Sequence, residues 1–261
     1  MLTFKPKRFI TIRNSTFLTK WSYHWRKNAM NLKKVSEILR RPLHRYFAFE
    51  RLKKFHAKSR TIDETVSWAM GFGSKGYYKV ETSQILFEIL SLAKTVEALK
   101  PKTILEIGTA RGGTLFIWSQ LASDEAISCD INDTSIQNEL WRAFPPPGSN
   151  CRVTLLTGNS HDANFKQQVE KHLGGKKVDF LFIDGDHTKE GVTADYTEYR
   201  EFVRAGGIIA FHDIVERQAL PSNQVYHLWK RLKLEITTEE FINDPNQCGF
   251  GIGVIRVLQN T

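Results

Sequence analysis

From about residue 100 onward, short apolar runs rich in β-branched and aromatic residues alternate with longer stretches of helical character. Five candidate strands are 102–108, 126–131, 151–158, 178–185 and 206–213. Strands separated by helices pair in parallel, and helices then cover both faces of the sheet. The sequence therefore predicts a doubly wound, Rossmann-like α/β domain, which 250–258 closes as an antiparallel last strand.

The net charge of +9 is distributed unevenly along the chain. Residues 1–60 hold seventeen Lys and Arg side chains against two acids, whereas the remainder carries more acids than bases. Apolar residues at helical spacing predict an amphipathic helix over 83–99, and the glycines of 71–78 indicate a linker. We expect a basic, mainly helical extension over 1–75 and a ligand-binding domain over 76–261.

The basic segment is compatible with several functions. Between residues 20 and 55, cations are interleaved with aromatic and aliphatic side chains, as in a helix bound to an anionic membrane surface. Helices that pack on the body, or on a second subunit of a homo-oligomer, explain the pattern equally well. The cations could also neutralise the phosphates of a nucleic acid. The lack of acids before Glu37 is shared with mitochondrial transit peptides.

Composition narrows the expected compartment. No apolar run reaches the roughly 18 to 20 residues that cross a bilayer, and the first residues lack the apolar block of a secretory signal. The three cysteines, Cys129, Cys151 and Cys248, lie far apart, so neither a disulfide framework nor a zinc cluster is expected. We expect a cytoplasmic protein, with peripheral membrane contact through residues 1–60 as a variant.

The first predicted strand ends in the sequence LEIGTARGGT. Gly108, Gly112 and Gly113 form a GxxxGG turn, unlike the GxGxxG turn of dinucleotide-binding proteins, and Asp130 ends the next strand. A carboxylate at that spacing suits ribose hydroxyls. The turn favours S-adenosylmethionine over NAD, although a tight strand-helix turn with Asp130 as a helix cap would have the same sequence.

Other residues near these strand ends are candidates for the same cofactor. Glu106, Thr109 and Thr114 flank the glycines, where Glu106 and Thr114 would face the amino-acid moiety. Asn159 and Ser160 lie in the loop TGNSHD, which could contact the adenine.

Acids also end the fourth and fifth predicted strands, at Asp184 and Asp213. Neighbouring strands lie about 5 Å apart, so the two carboxylates would repel unless a proton or a cation lies between them. Mg²⁺, which prefers oxygen ligands, is the expected cation. His212 is a further candidate ligand or a structural histidine.

The loop after Asp184 carries a candidate base. His187 follows Asp184 by three residues, and an imidazole there could take a proton from a substrate hydroxyl. Asp186 is expected to cap the following helix.

These motifs resemble a known family. ILEIGTARGGT, CDI, LFIDGDHTKEGVTADY and GGIIAFHDI are together similar to the class I S-adenosylmethionine-dependent methyltransferases. The likeness is strongest to the branch with the cephalosporin hydroxylase family and the macrolide-sugar O-methyltransferases. It covers roughly residues 80 to 258.

The resemblance implies a seven-stranded sheet and a set of residue roles. Gly108 and its neighbours match the methionine-binding loop, Asp130 the ribose acid, and Asn159 and Ser160 the adenine loop. Asp184 matches the magnesium ligand and His187 the base of the metal-dependent sugar methyltransferases. Those enzymes have Glu-Asp at the fifth strand end, whereas this chain has His-Asp, which leaves the metal open.

The expected function is methyl transfer from S-adenosylmethionine to a hydroxyl of a sugar, a glycan or another small natural product, with Mg²⁺ assistance. A catechol acceptor is not expected, because Ile214 follows Asp213 where the catechol-type enzymes have Asn. The alternatives are a nucleic-acid methyltransferase that uses the basic segment and a cofactor-binding subunit without turnover.

Overall fold

The computed structural model describes residues 38–258. By its contacts the chain divides into two compact units, Met1–Leu43 and His44–Thr261. The second unit contains the sheet and all the residues of the candidate site. The first 37 residues, and with them most of the basic segment, lie outside the described residues.

Nine strands are present in the described chain. They are β1 Phe72–Gly73, β2 Lys79–Val80, β3 Thr103–Ile107, β4 Glu125–Asp130, β5 Arg152–Thr157, β6 Val178–Ile183, β7 Val203–His212, β8 Thr238–Phe241 and β9 Ile252–Arg256. The last seven form one sheet in the order β5-β4-β3-β6-β7-β9-β8, in which β3 to β7 pair in parallel and β9 pairs antiparallel with β7 and β8. The predicted doubly wound sheet and its antiparallel closing strand are confirmed.

Eight α-helices connect or precede these strands. They are α1 over residues 38–56, α2 Ile62–Ala69, α3 Leu86–Leu99, α4 Gly113–Leu121, α5 Asn138–Arg142, α6 Ala163–Leu173, α7 Lys189–Tyr199 and α8 Val225–Glu235. The helix predicted over 83–99 is therefore α3. It ends where Lys100 adopts a left-handed conformation directly before Pro101.

The side chains of the central strands alternate between two cores. Ile104 and Phe180 pack into the cluster formed with α2 to α5, whereas Leu105 and Leu181 pack into the cluster formed with α6 to α8. Strands β3 and β6 are buried along their whole length. Near-continuous apolar runs are what a parallel sheet covered on both faces requires, which is why these strands were visible in the sequence.

The structure differs from the sequence prediction at two elements. The glycine-rich stretch 71–78, expected to be a linker, contributes to the antiparallel ribbon of β1 and β2, and its Phe72 and Tyr78 are buried in the first cluster. Strand β8 has the sequence TEEF. It escaped detection because an edge strand with two glutamates carries too little apolar pattern.

The order of the strands fixes where a ligand can bind. The chain passes from β3 outward through β4 to β5, and then returns to the other side of β3 to form β6 and β7. The strand order reverses between β3 and β6, so a crevice opens beyond their carboxyl ends. The loops that follow β3 to β7 therefore surround one site.

Candidate cofactor and acceptor site

A cavity of about 640 Å³ lies beyond the carboxyl ends of β3 to β7. Among the residues predicted to bind cofactor or metal or to act in catalysis, those that line it are Gly108, Asp130, Asn159, Ser160, Asp184, His187, His212 and Asp213. Residues from five strand ends thus meet in one place. The predicted residues that do not line it are Glu106, Thr109, Gly112, Gly113 and Thr114.

Gly108 forms the turn between β3 and the cavity. Its φ is +96°, and a Cβ atom there would lie 2.1 Å from the backbone oxygen of Asp184. Neither the conformation nor the distance accommodates a side chain. Glycine at this position therefore brings the β3 and β6 strand ends together.

Gly112 and Gly113 allow close packing at the start of α4. A Cβ atom on Gly112 would contact the Trp141 ring at 2.8 Å, and one on Gly113 would lie 2.2 Å from the backbone nitrogen of Thr82. Their approach to a ligand stays a prediction.

Glu106 and Thr114 also lie in the core. Glu106 is fully buried and accepts hydrogen bonds from the Trp118 indole, 2.9 Å away, and from the Ser128 hydroxyl. Burial raises the pKa of Glu106 to about 7, against the opposing effect of these hydrogen bonds. β3 turns the Glu106 side chain toward α4, where it contacts Trp118. The contact of Glu106 and Thr114 with a ligand's amino-acid moiety stays a prediction.

Asp130 connects the ends of β3 and β4. Its Oδ2 accepts the backbone N–H groups of Thr109, at 3.0 Å, and Ala110, at 2.9 Å, while Oδ1 accepts that of Asn132. Asp130 thus stabilises the glycine turn through these hydrogen bonds and is not a helix cap. The Asn132 side-chain amide also donates to Oδ1, at 3.0 Å, so a ribose hydroxyl would take the place of this exposed amide at the carboxylate.

Four ionisable side chains meet at the ends of β6 and β7. Asp184 Oδ1 lies 3.2 Å from His187 Nε2 and 3.0 Å from His212 Nδ1. His187 Nδ1 lies 3.4 Å from Asp213 Oδ2. The predicted pairing of Asp184 with His187 is present, and His187 is the most exposed of the four, with 38% of its side chain accessible.

The pKa values in this quartet of Asp184, His187, His212 and Asp213 follow from the contacts between its acids and its imidazoles. The hydrogen bond that His187 donates to Asp184 raises the pKa of His187, against the effect of burial. Burial would lower the pKa of His212, but the charge of Asp184 outweighs it and raises that pKa to about 9. Burial alone would raise the pKa of Asp184, yet the two imidazoles hold it well below its usual range. The charges of acids and imidazoles compensate one another within the cavity wall.

Two amide side chains of the site had no recognisable sequence signal. Gln84, just before α3, donates to Asp184 Oδ2 at 2.7 Å, and Asn223 donates to Asp213 Oδ2 at 2.5 Å. The remaining amide oxygens, Gln84 Oε1 and Asn223 Oδ1, are buried and have no hydrogen-bond partner among the described residues. Gln84 orients a carboxylate 100 residues away in the sequence, whereas Asn223 orients one that lies ten residues earlier in the same connection.

Three residues other than glycine border the same cavity with positive φ. Ala110 has φ +47°, Asp213 φ +63° and Phe250 φ +61°, a region that such residues rarely adopt and in which they cluster at functional sites. The Phe250 ring lies 6.0 Å from that of His212.

Asp186 does not cap the helix after β6 as predicted. Thr188 is the N-cap of α7, because its side chain accepts the N–H of Gly191. Asp186 accepts the N–H of Thr188 and lies in the cavity wall.

Asp184, His212 and Asp213 could together hold a metal ion. Each offers one ligand atom, and these atoms all lie within 4.8 Å of one another. Cys129, Cys151 and Cys248 are unpaired. Within residues 38–258, no helix is both long and apolar enough to cross a membrane.

Comparison with known proteins gives the same fold. A family model described as a methyltransferase domain matches residues 105–214. The chain is 31% identical over 139 residues to an uncharacterised protein of Acanthamoeba polyphaga mimivirus, which covers 51% of this chain and 60% of that one. It is 26% identical over 166 residues to an uncharacterised protein of Sinorhizobium fredii. That alignment covers 60% of this chain and 17% of the relative. The chain thus spans less than two thirds of either relative.

Solved structures share the architecture at low identity. MycE from the mycinamycin biosynthetic pathway, in complex with Mg, S-adenosylhomocysteine and mycinamycin VI, is 17% identical with a TM-score of 0.53, over 78% of this chain and 56% of MycE. A second neighbour is the O-methyltransferase TomG from Streptomyces achromogenes, solved in complex with S-adenosylmethionine. It is 14% identical with a TM-score of 0.54, over 77% of this chain and 92% of TomG. At such identity these likenesses concern the fold.

Proposed function

On the premise that this chain carries a class I S-adenosylmethionine-dependent methyltransferase domain, we propose that it transfers a methyl group to an acceptor hydroxyl. The observation that carries the proposal is the contact of His187 with Asp184, 3.2 Å apart, in the wall of the cavity beyond β3 and β6. A base held by a carboxylate at the reacting end of a cofactor cavity is what O-methylation needs.

S-adenosylmethionine supplies an electrophilic methyl group on its sulfonium. The acceptor oxygen forms a bond to that carbon while the bond from carbon to sulfur breaks, and the sulfur keeps the electron pair. His187 takes the hydroxyl proton. Asp184 accepts a hydrogen bond from Nε2 of His187, so the ring is oriented before the acceptor arrives. In the unprotonated imidazole Nδ1 then carries the lone pair that takes the proton.

The raised pKa of His187 sets a condition on this role. Because Asp184 stabilises the protonated imidazole, His187 acts as a base only in the fraction of molecules that have lost the proton. A stronger base removes a hydroxyl proton more readily once it is free. The reaction is therefore expected to run best at neutral to alkaline pH.

We also propose a divalent cation at Asp184, His212 and Asp213. Two carboxylates and one imidazole fit such an ion, and His212 Nδ1 faces both carboxylates, 3.0 Å from Asp184 Oδ1 and 3.5 Å from Asp213 Oδ1. The oxygen ligands suit Mg²⁺, while the imidazole suits transition metals better. When bound, the ion would lower the pKa of an acceptor hydroxyl.

The acceptor we propose is a hydroxyl of a sugar, a glycan or another small natural product. This rests on the likeness to MycE, solved with mycinamycin VI, and to TomG, described as involved in tomaymycin synthesis. The polar quartet at the reacting end is compatible with an acceptor that carries several hydroxyls.

From the charge of residues 1–60 we further propose contact with an anionic membrane surface by a cytoplasmic, peripheral protein. Cosedimentation of the full chain with phosphatidylglycerol vesicles, compared with phosphatidylcholine vesicles, tests it. Equal binding to both would contradict it. Homo-oligomer formation is tested by light scattering.

The cofactor proposal is tested by calorimetric titration with S-adenosylhomocysteine, followed by methyl-transfer assays with S-adenosylmethionine and a panel of sugars. Titration with Mg²⁺ and Mn²⁺ of the wild type and of Asp213→Ala tests the metal. We expect cofactor binding that survives the substitution and metal binding that does not. A wild-type protein that fails to bind S-adenosylhomocysteine would overturn the proposed function.

A further inference from the structure

A buried carboxylate lies beneath the loop that follows β5. Asp195, on α7, is fully buried, and its Oδ1 lies 3.2 Å from Nε2 of His161, which lines the cavity. Neither carboxylate oxygen has a hydrogen-bond partner among the described residues. A buried carboxylate is costly unless it is paired, and His161 is the basic side chain that lies close enough to pair with Asp195.

A second side chain of α7 holds the same loop. The Tyr199 hydroxyl donates to the backbone oxygen of Ser160 at 3.0 Å. Asp195 and Tyr199 are four residues apart, so they lie on one face of the helix, one turn from each other. Helix α7 therefore fixes two consecutive residues of the loop.

His161 also approaches the loop that follows β6. Its Nδ1 lies 4.0 Å from Asp186 Oδ2. At Gly185, directly before Asp186, a Cβ atom would lie 3.4 Å from Asp195 Oδ2. The loops after β5 and β6 thus meet around His161 and Asp195, although β3 and β4 separate their strands.

The strand order shows at which end of the cavity the contact of His161 with Asp195 lies. The quartet that would act on the methyl group lies at the ends of β6 and β7, whereas the His161 loop follows β5 on the opposite side of β3. Asp130, the candidate for the ribose, ends β4 between them. A nucleoside whose reacting group lies near His187 therefore places its base beside His161.

We propose that His161, held by Asp195, is a positioning residue for the purine of the cofactor and sets the preference for adenine. The proposal rests on the proposed function, since it assumes that the cavity binds S-adenosylmethionine. The rigid attachment to α7 keeps the polar groups of residues 159–161 at fixed places along the purine edge. A loop held in this way can distinguish a 6-amino group from a 6-oxo group.

The test compares S-adenosylhomocysteine with S-inosylhomocysteine, in which a 6-oxo group replaces the 6-amino group, by calorimetric titration of the full chain. His161→Ala removes the contact with Asp195, His161→Gln retains a donor of similar reach, and Tyr199→Phe removes one hydroxyl. The matched control is His172→Ala. His172 also contacts a buried carboxylate, Glu125, at 3.0 Å, but at the other end of the sheet.

We expect His161→Ala to weaken S-adenosylhomocysteine binding about tenfold, because the loop would lose its contact with Asp195, and to reduce discrimination between the two ligands. His161→Gln should retain most of the affinity and most of the discrimination. Tyr199→Phe should reduce discrimination, and His172→Ala should change neither affinity nor discrimination. Thermal unfolding of each variant separates this effect from loss of the fold, because a purely structural role would weaken both ligands equally.

Unchanged affinity and discrimination in folded His161→Ala and Tyr199→Phe would overturn the inference while leaving the proposed function intact. A wild type that binds neither ligand would overturn both. Equal weakening of the two ligands by His161→Ala would also contradict the inference, because discrimination would then not depend on the loop.

Discussion

His212 Nδ1 lies 3.0 Å from Asp184 Oδ1, although 27 residues separate them and they come from different strands. The β6 and β7 ends bring them together, since Ile183 pairs with Phe211 in the sheet. The carboxylate is thereby shared between the buried imidazole of His212 and the more exposed imidazole of His187, both in the cavity wall. One carboxylate thus controls the charge and the orientation of both histidines.

Replacement of His187 should remove the proposed base without removing the cofactor site. We expect His187→Ala to lower kcat about 100-fold or more, the usual contribution of a general base, with the dissociation constant of S-adenosylhomocysteine within about threefold of wild type. His227→Ala, on the exposed face of α8, is the control and should leave kcat unchanged. A His187→Ala variant with full kcat would show that the acceptor loses its proton elsewhere.

The pH dependence of the rate should report the state of His187. Its pKa is raised mainly by Asp184 and further by Asp213, so the base form is lost as pH falls through a value above 6.5. The acid limb of kcat should therefore lie above pH 6.5. Asp213→Asn removes one stabilising charge and should move the limb to lower pH, which a pH-rate profile of both proteins measures. A limb unchanged by the substitution would contradict the assignment.

Glu106 should make the free energy of unfolding depend on pH. Its pKa is about 7 in the folded protein and near 4.5 when unfolded, so the folded state binds more protons between these values. Stability from this group is fully present below pH 4.5 and is lost as pH rises toward 7, by about 3 kcal/mol at most. Glu106→Gln should remove this loss. The free energy of unfolding of the variant minus that of the wild type should therefore increase from pH 5 to pH 8. Urea unfolding at each pH measures it, and a constant difference would refute the raised pKa.

Substitution can separate two reasons for glycine, a positive φ and a close contact of the backbone. Gly108→Ala must accommodate a Cβ atom 2.1 Å from the Asp184 backbone oxygen as well as a φ of +96°. Gly148→Ala faces only a φ of +81°, because nothing lies within 4 Å of its added atom. We expect a loss of about 1 kcal/mol for Gly148→Ala, and a loss at least twice as large for Gly108→Ala. Equal losses in urea unfolding would show that Asp184 moves freely.

The sequence by itself determined the sheet and the edge at which the site forms. Fully buried strands such as β3 and β6 need continuous apolar runs, and the helices between them show a different period. Parallel strands end at one edge, so the acids that follow them, Asp130, Asp184 and Asp213, had to meet there. These conclusions depend only on neighbours along the chain.

Tertiary structure decided which of the candidate side chains reach the cavity. Glu106 and Gly108 lie two residues apart, yet packing against Trp118 directs the glutamate into the core while the glycine turn borders the site. No local pattern indicates that Gln84 holds Asp184 or that Asp195 holds His161, because each pair joins separate elements. Such contacts arise when helices pack on the sheet, and their geometry is set by the whole core and not by the residues that precede or follow them.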